Sequence, residues 1–260
     1  MNKRMIYQRW FLSIILGCGL SLGRYMPVYA VKTNDIPMEL QEFIAKVDDA
    51  ANSKNLKSVK SFYGDQYITT DGLTLNKLAE GISKLWIEYP NLRYQTKILS
   101  WEKKDKSWLV KTLTKISGNS ISNGREIRLE STIKSYQSLQ KNKIVEQEIL
   151  SEITKLTTGK QPPTVIVNLP TTVKIGETFD FDVILSEPLG DNLLAGMAIS
   201  GEVDTNNYLN PPKMPLKLLK SGGLFKRISI KDNLQDHWLS SILVRNDGIT
   251  MITQRVKVIP

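Results

Sequence analysis

The pattern of apolar and polar positions changes character near residue 90. Before it, apolar residues recur with a helical period. Leu40, Phe43, Ile44 and Val47 stand at i, i+3, i+4 and i+7 and line one face of a helix. Asp35 is placed to cap that helix, and Pro37 suits its first turn. Leu56 to Tyr63 predicts a short second helix that ends at Gly64, and the loop Asp65 to Gly72 follows. Thr74 to Tyr89 predicts a third helix with the stripe Leu75, Leu78, Ile82, Leu85, Trp86 and Tyr89, stopped by Pro90.

After residue 90 the period is two. Leu92, Tyr94, Thr96 and Ile98 alternate with polar neighbours, and Lys103 to Lys106 makes a turn. Trp108, Val110 and Thr112 share the face of a second strand. Ile127, Leu129 and Ile133 mark a third, and Val145, Ile149 and Ile153 a fourth. This spacing predicts an antiparallel meander. Gly159-Lys160-Gln161-Pro162-Pro163 then reads as an extended linker.

Beyond the linker the strands shorten. Val165, Val167 and Leu169 alternate, and Phe179, Phe181, Val183 and Leu185 form the cleanest alternation in the chain. Further runs lie at 195–199, 216–218, 228–230, 238–244 and 249–253, with Asp247-Gly248 as a hairpin signal between the last two. Roughly seven short strands separated by turns predict an immunoglobulin-like sandwich.

The order helix, helix, loop, helix, then four long antiparallel strands resembles the nuclear transport factor two and ketosteroid isomerase superfamily. The passage from Ser61-Phe62-Tyr63-Gly64-Asp65 through Ile68-Thr69-Thr70-Asp71-Gly72 matches its link between helix two and helix three. The resemblance spans about residues 36–157 and implies a cone, in which a curved sheet wraps the helices around a pocket. The fold class expected is therefore α+β, a cone domain followed by an all-β sandwich. The expected division is a signal peptide over 1–30, a cone domain over 31–158, a linker over 159–163 and a sandwich over 164–260. The overall layout, with Pro188-Leu189-Gly190-Asp191 and Gly222-Gly223-Leu224-Phe225-Lys226, also resembles exported cyanobacterial proteins of nuclear-transport-factor-like type.

In isomerase-like members of the superfamily the pocket holds a carboxylate base, and Asp71 falls near that place. It is also a plain Asp-Gly turn residue. Phe43, Trp86, Tyr94 and Trp108 are the aromatic candidates for an apolar pocket that takes a small hydrophobic ligand. This half contains no histidine, which excludes histidine-based catalysis there. In the second half, Glu177, Asp180, Asp182, Glu187 and Asp191 gather acids without the spacing of a calcium loop. His237 has no catalytic constellation around it, and Ser221-Gly222-Gly223 has no helix after it to make a phosphate site. Neither a metal nor a cofactor is expected.

Charge and the first thirty residues set the compartment. Lys3, Arg4 and Arg9 precede an apolar run from Trp10 to Leu22, and Val28-Tyr29-Ala30 closes the segment, in the order of a secretory signal. Cleavage after Ala30 competes with lipidation at Cys18, the only cysteine, in Ile15-Leu16-Gly17-Cys18. The run is well short of the roughly 20 residues that a spanning helix needs. Export to a periplasm or thylakoid lumen follows, with a membrane tether if Cys18 is lipidated. Residues 31–160 hold 21 Lys/Arg against 16 Asp/Glu, while 161–260 hold 10 of each. Outside the cytosol that excess suggests anionic surfaces and not nucleic acid. The leading expectation is a non-enzymatic binding or scaffolding protein, with a protein partner or a homodimer on the cone domain. The alternative is a small-ligand enzyme working through an acid/base carboxylate.

Overall fold

The computed structural model describes residues 36–204, 214–231, 234–246 and 248–260. The signal segment, Cys18, Asp35 and Asp247 lie outside them. Two compact units divide the described chain: 36–118 with 131–150, and 119–130 with 151–260. Each is described by itself.

The first unit opens with helices α1 (Met38–Asn52) and α2 (Leu56–Ser61), strand β1 (Tyr63–Thr69) and helix α3 (Leu75–Glu88). Caps follow local chemistry. The Asn55 side chain accepts from the Ser58 N–H at 2.9 Å, and Thr74 Oγ1 accepts from Lys77 N–H at the start of α3. Helix two is shorter than its apolar pattern suggests, because Tyr63 and Gly64 already belong to β1, where Tyr63 pairs with Ile144. Strands β2 (Arg93–Lys104), β3 (Ser107–Ser122), β4 (Arg125–Gln140) and β5 (Lys143–Thr158) lie in the order β2-β3-β4-β5, with β1 parallel to β5. Their buried row turns toward the helices: Val110, Ile116, Ile133 and Ile149. Leu40, Ile44, Leu78, Ile82 and Leu85 are buried from the helical side.

This sheet is open and uncurled, which corrects the cone expected from sequence. A sheet wraps a helix when bulges or glycines kink its strands. The β2–β3 register slips once, between Ile98 and Ser100, in an edge strand. β4 and β5 contain no glycine, and β3 contains only Gly118. Long strands with so few glycines stay extended.

In the second unit, β6 (Val165–Asn168), β7 (Thr172–Lys174), β8 (Thr178–Leu185) and β9 (Leu194–Glu202) are followed by β10 (Lys217–Leu218), β11 (Gly223–Ser229), β12 (His237–Arg245) and β13 (Gly248–Ile259). One sheet runs β10-β9-β12-β13-β5, with β7 parallel to the end of β13. The other has three strands, β11-β8-β6. Phe181, Val183 and Leu185 of β8 pack with Leu194 and Ala198, Leu239 and Leu243, and Val256 and Val258 in one core. The closed immunoglobulin-like sandwich expected from sequence does not form. β13 pairs with the last residues of β5, Ile153 to Thr158, so its sheet is open, and the three-stranded sheet stays unclosed too. Buried Arg255 donates to Asp236 at 2.8 Å, which spares this core an unpaired charge. No helix among the described residues is long and apolar enough to cross a membrane.

Candidate functional site

A polar interior lies in the first unit, between the helices and the sheet face that they cover. Alternation there delivers hydrophilic side chains where a dry core would hold aliphatic ones. Thr96 of β2 is registered with Thr114 of β3, and their hydroxyls lie 3.0 Å apart. Thr112 meets Ser135 at 3.1 Å. Ser135 accepts from Gln147 Nε2 at 3.3 Å, and Gln147 Oε1 accepts from the Tyr67 hydroxyl at 3.0 Å. A cavity of ≈ 50 Å³ opens along this row. Its sheet wall includes Thr96, Thr114, Gln137 and Gln147, and its helix wall Val47, Ile82 and Trp86. That volume holds a few waters or the reacting end of a small molecule.

Asp48 is the one carboxylate lining this cavity. It sits on α1 one turn after Ile44, so the helix turns it inward. Its Oδ2 accepts from the Thr96 N–H at 2.6 Å and its Oδ1 from the Thr96 hydroxyl at 2.7 Å. An ionised carboxylate only accepts, so it fixes the chain Thr114 to Thr96 to Asp48 as a run of donors. Asn52, one turn further on, bonds both the N–H and the C=O of Tyr94, at 2.8 and 3.0 Å. β2 is an edge strand, and these two side chains satisfy the backbone groups that it leaves open. Desolvation by burial raises the Asp48 pKa above the usual carboxylate value. The two Thr96 hydrogen bonds oppose that shift, and the neighbouring Asp49 charge adds to it.

Two further groups face this cavity. Tyr94 accepts a hydrogen bond from Trp86 Nε1 at 3.0 Å. Burial pushes its pKa up to about 12, against the lowering effect of that bond, so it remains a neutral donor near pH 7. Gln137, 8% exposed, has a buried Oε1 with no hydrogen-bond partner among the described residues. A buried amide oxygen without a donor carries a desolvation cost that a ligand or water would remove.

The residues singled out from sequence scatter. Trp86 and Tyr94 line the cavity. Phe43 packs edge-on against Phe62, with centroids 5.6 Å apart, and borders a separate depression of ≈ 520 Å³ with Met38, Glu42 and Lys46. Trp108 meets Trp101 at 5.4 Å beneath the Lys103 ammonium, away from the cavity. Asp71 stands in the turn before α3 and is not among the lining residues. Asp48 and Gln137 escaped the reading, although both carry a signal. Asp48 is a carboxylate four residues after Ile44, on the apolar face of α1. Gln137 is a long polar side chain within the buried row Ile133, Ser135, Leu139.

The acids of the second half are dispersed. Asp180 meets Arg227 at 3.5 Å, Glu187 meets Arg245 at 2.6 Å, and Glu177 accepts from the Lys174 N–H. Among the described residues no three His, Cys, Asp or Glu side chains stand together as a metal site. His237 Nδ1 lies 3.0 Å from the Gln235 carbonyl oxygen. Gly223 begins β11, and a Cβ there would sit 2.6 Å from the Val183 carbonyl oxygen. Its lack of a side chain therefore serves the approach of two strands.

A family description, "Domain of unknown function (DUF8623)", matches residues 160–259. No curated protein matches the chain. Among solved structures, the chain is similar to Bd1075 of Bdellovibrio bacteriovorus at 17% identity and a TM-score of 0.32, over 43% of this chain and 38% of that one. The chain thus spans well under half the length of that protein. It is similar to a SnoaL-like polyketide cyclase of Agrobacterium tumefaciens at 13% identity and a TM-score of 0.31, over 42% of this chain and 88% of that one. A LEH-like epoxide hydrolase of M. tuberculosis matches at 11% identity and a TM-score of 0.29, over 42% and 78%. Likenesses this distant assign neither activity nor substrate here.

Proposed function

We propose that the first unit is a small-ligand pocket, and that Asp48 is its acid/base carboxylate. The unpartnered Oε1 of buried Gln137, facing the cavity that Asp48 lines, carries this reading. The ligand it fits is small and carries an O–H or N–H for Gln137 and a carbonyl oxygen for the Tyr94 hydroxyl. Asp48 would take a proton from the carbon beside that carbonyl, and Tyr94 would donate to the oxygen as charge grows on it. The proton then returns from Asp48 to another carbon, an isomerisation in which nothing is oxidised. A carboxyl with a raised pKa is the stronger base for that step.

Native mass spectrometry of the mature protein from its own host tests the reading. The expected result is a small mass that leaves on denaturation and is absent from a folded Gln137→Met variant. A bare mass in wild type, or a mass indifferent to Gln137, overturns it. If the mass binds equally well and reacts equally fast with Asp48→Asn, then Asp48 is only the cap on the β2 edge.

A further inference from the structure

We propose that the face of this sheet turned away from the helices docks on an anionic lipid bilayer. The inference goes beyond the pocket and does not depend on it. Strand residues alternate between faces, so the neighbours of the buried row point outward. On β2 these are Arg93 and Lys97, on β3 Lys111 and Lys115, and on β4 Lys134. Lys97 is registered opposite Leu113, which stands between Lys111 and Lys115. Diagonal neighbours of this kind are about 7–8 Å apart, so three ammonium stems form a triangle across two strands.

The outward positions of β5 carry the acids Glu146 and Glu148, so the excess of positive charge is confined to β2, β3 and the adjoining part of β4. Among the described residues, none of these five side chains makes an ion pair. On the outward positions of β2, β3 and residues 131–140 of β4, Glu102 is the one acid, and Lys104 follows it two residues on. An open, uncurled sheet spreads these charges in two dimensions, like the headgroups of a bilayer. Single-stranded nucleic acid asks for something else, a groove with bare aromatic faces. The tyrosine on this face, Tyr136, is covered by Lys111, whose ammonium lies 5.2 Å from the ring centroid. Attraction of lysines to an anionic bilayer acts within a Debye length and is lost at high salt.

The test is co-sedimentation of the mature protein with phosphatidylcholine vesicles, with and without phosphatidylglycerol, at low and high salt. Binding is expected only to the charged vesicles and only at low salt. Lys97→Gln, Lys111→Gln and Lys115→Gln together should weaken it about a hundredfold, at roughly fivefold per lysine. The same charge removed from the helical side, by Lys54→Gln, Lys57→Gln and Lys60→Gln, should cost far less. Circular dichroism confirms that each variant is folded. Four results overturn the proposal: no binding to charged vesicles, equal binding to neutral ones, equal loss in the two triple variants, or tighter binding to a single-stranded oligonucleotide than to vesicles.

Discussion

The backbone N–H and the hydroxyl of Thr96 both donate to the carboxylate of Asp48, at 2.6 and 2.7 Å, and so tie a helix to the open edge of a sheet. The bond is structural whatever else Asp48 does. Asp48→Ala would strand two half-buried donors, and a loss of about 1–3 kcal/mol is expected in urea unfolding.

The pH dependence of stability carries a second signature of Asp48. Its folded-state pKa is raised above 3.8, so the folded form holds this proton more tightly than the unfolded form does. Its contribution to stability is therefore fullest below the unfolded value and declines as pH rises through the folded one. Melting temperatures of wild type and Asp48→Asn, measured across mildly acidic pH, should differ in slope inside that window. Parallel curves would mean that the carboxyl titrates normally.

Tyr94→Phe removes the acceptor of Trp86 Nε1 and leaves that indole N–H partnerless in a half-buried setting. A loss of about 1–2 kcal/mol is expected in urea unfolding. An unchanged midpoint would mean that water takes over the bond.

Gln137→Met keeps the length of the side chain and deletes the orphaned amide. If the protein is freed of any ligand, this variant should match or exceed the wild-type melting temperature, by up to about 1 kcal/mol of stability. A large loss would reveal that Oε1 is satisfied in the free protein.

Gly223→Ala would press a methyl group toward the Val183 carbonyl oxygen at 2.6 Å and the Ile184 Cα at 3.1 Å. Backbone cannot swing aside as a side chain can, so about 1–3 kcal/mol of destabilisation is expected. A neutral result would show that β8 and β11 can slide apart locally.

Much of the local structure was legible in the sequence. The stripe Leu78, Ile82, Leu85, Trp86 did become the buried face of α3, and Phe179, Phe181, Val183, Leu185 became the buried row of β8. Alternation states which face of a strand is inside. It does not state which strand lies beside it, or whether a sheet bends. Ile153 to Thr158 could have stood at a sheet edge, yet β13 joins them from nearly a hundred residues away. Asp48 and Gln137 are not legible from apolar periodicity, because each is a polar intruder on a buried face. In this unit the intruders make the cavity.

The partnership of β13 with Ile153–Thr158 bears on what can be inherited as a piece. The family match at 160–259 leaves that stretch of β5 behind. A gene rearrangement that carried off only the matched part would deliver β13 with a bare flank from Ile249 to Gln254, ready to recruit a strand from any neighbour. The module that can travel safely between proteins is therefore longer than the one that sequence similarity outlines, and it must bring its own landing strip with it.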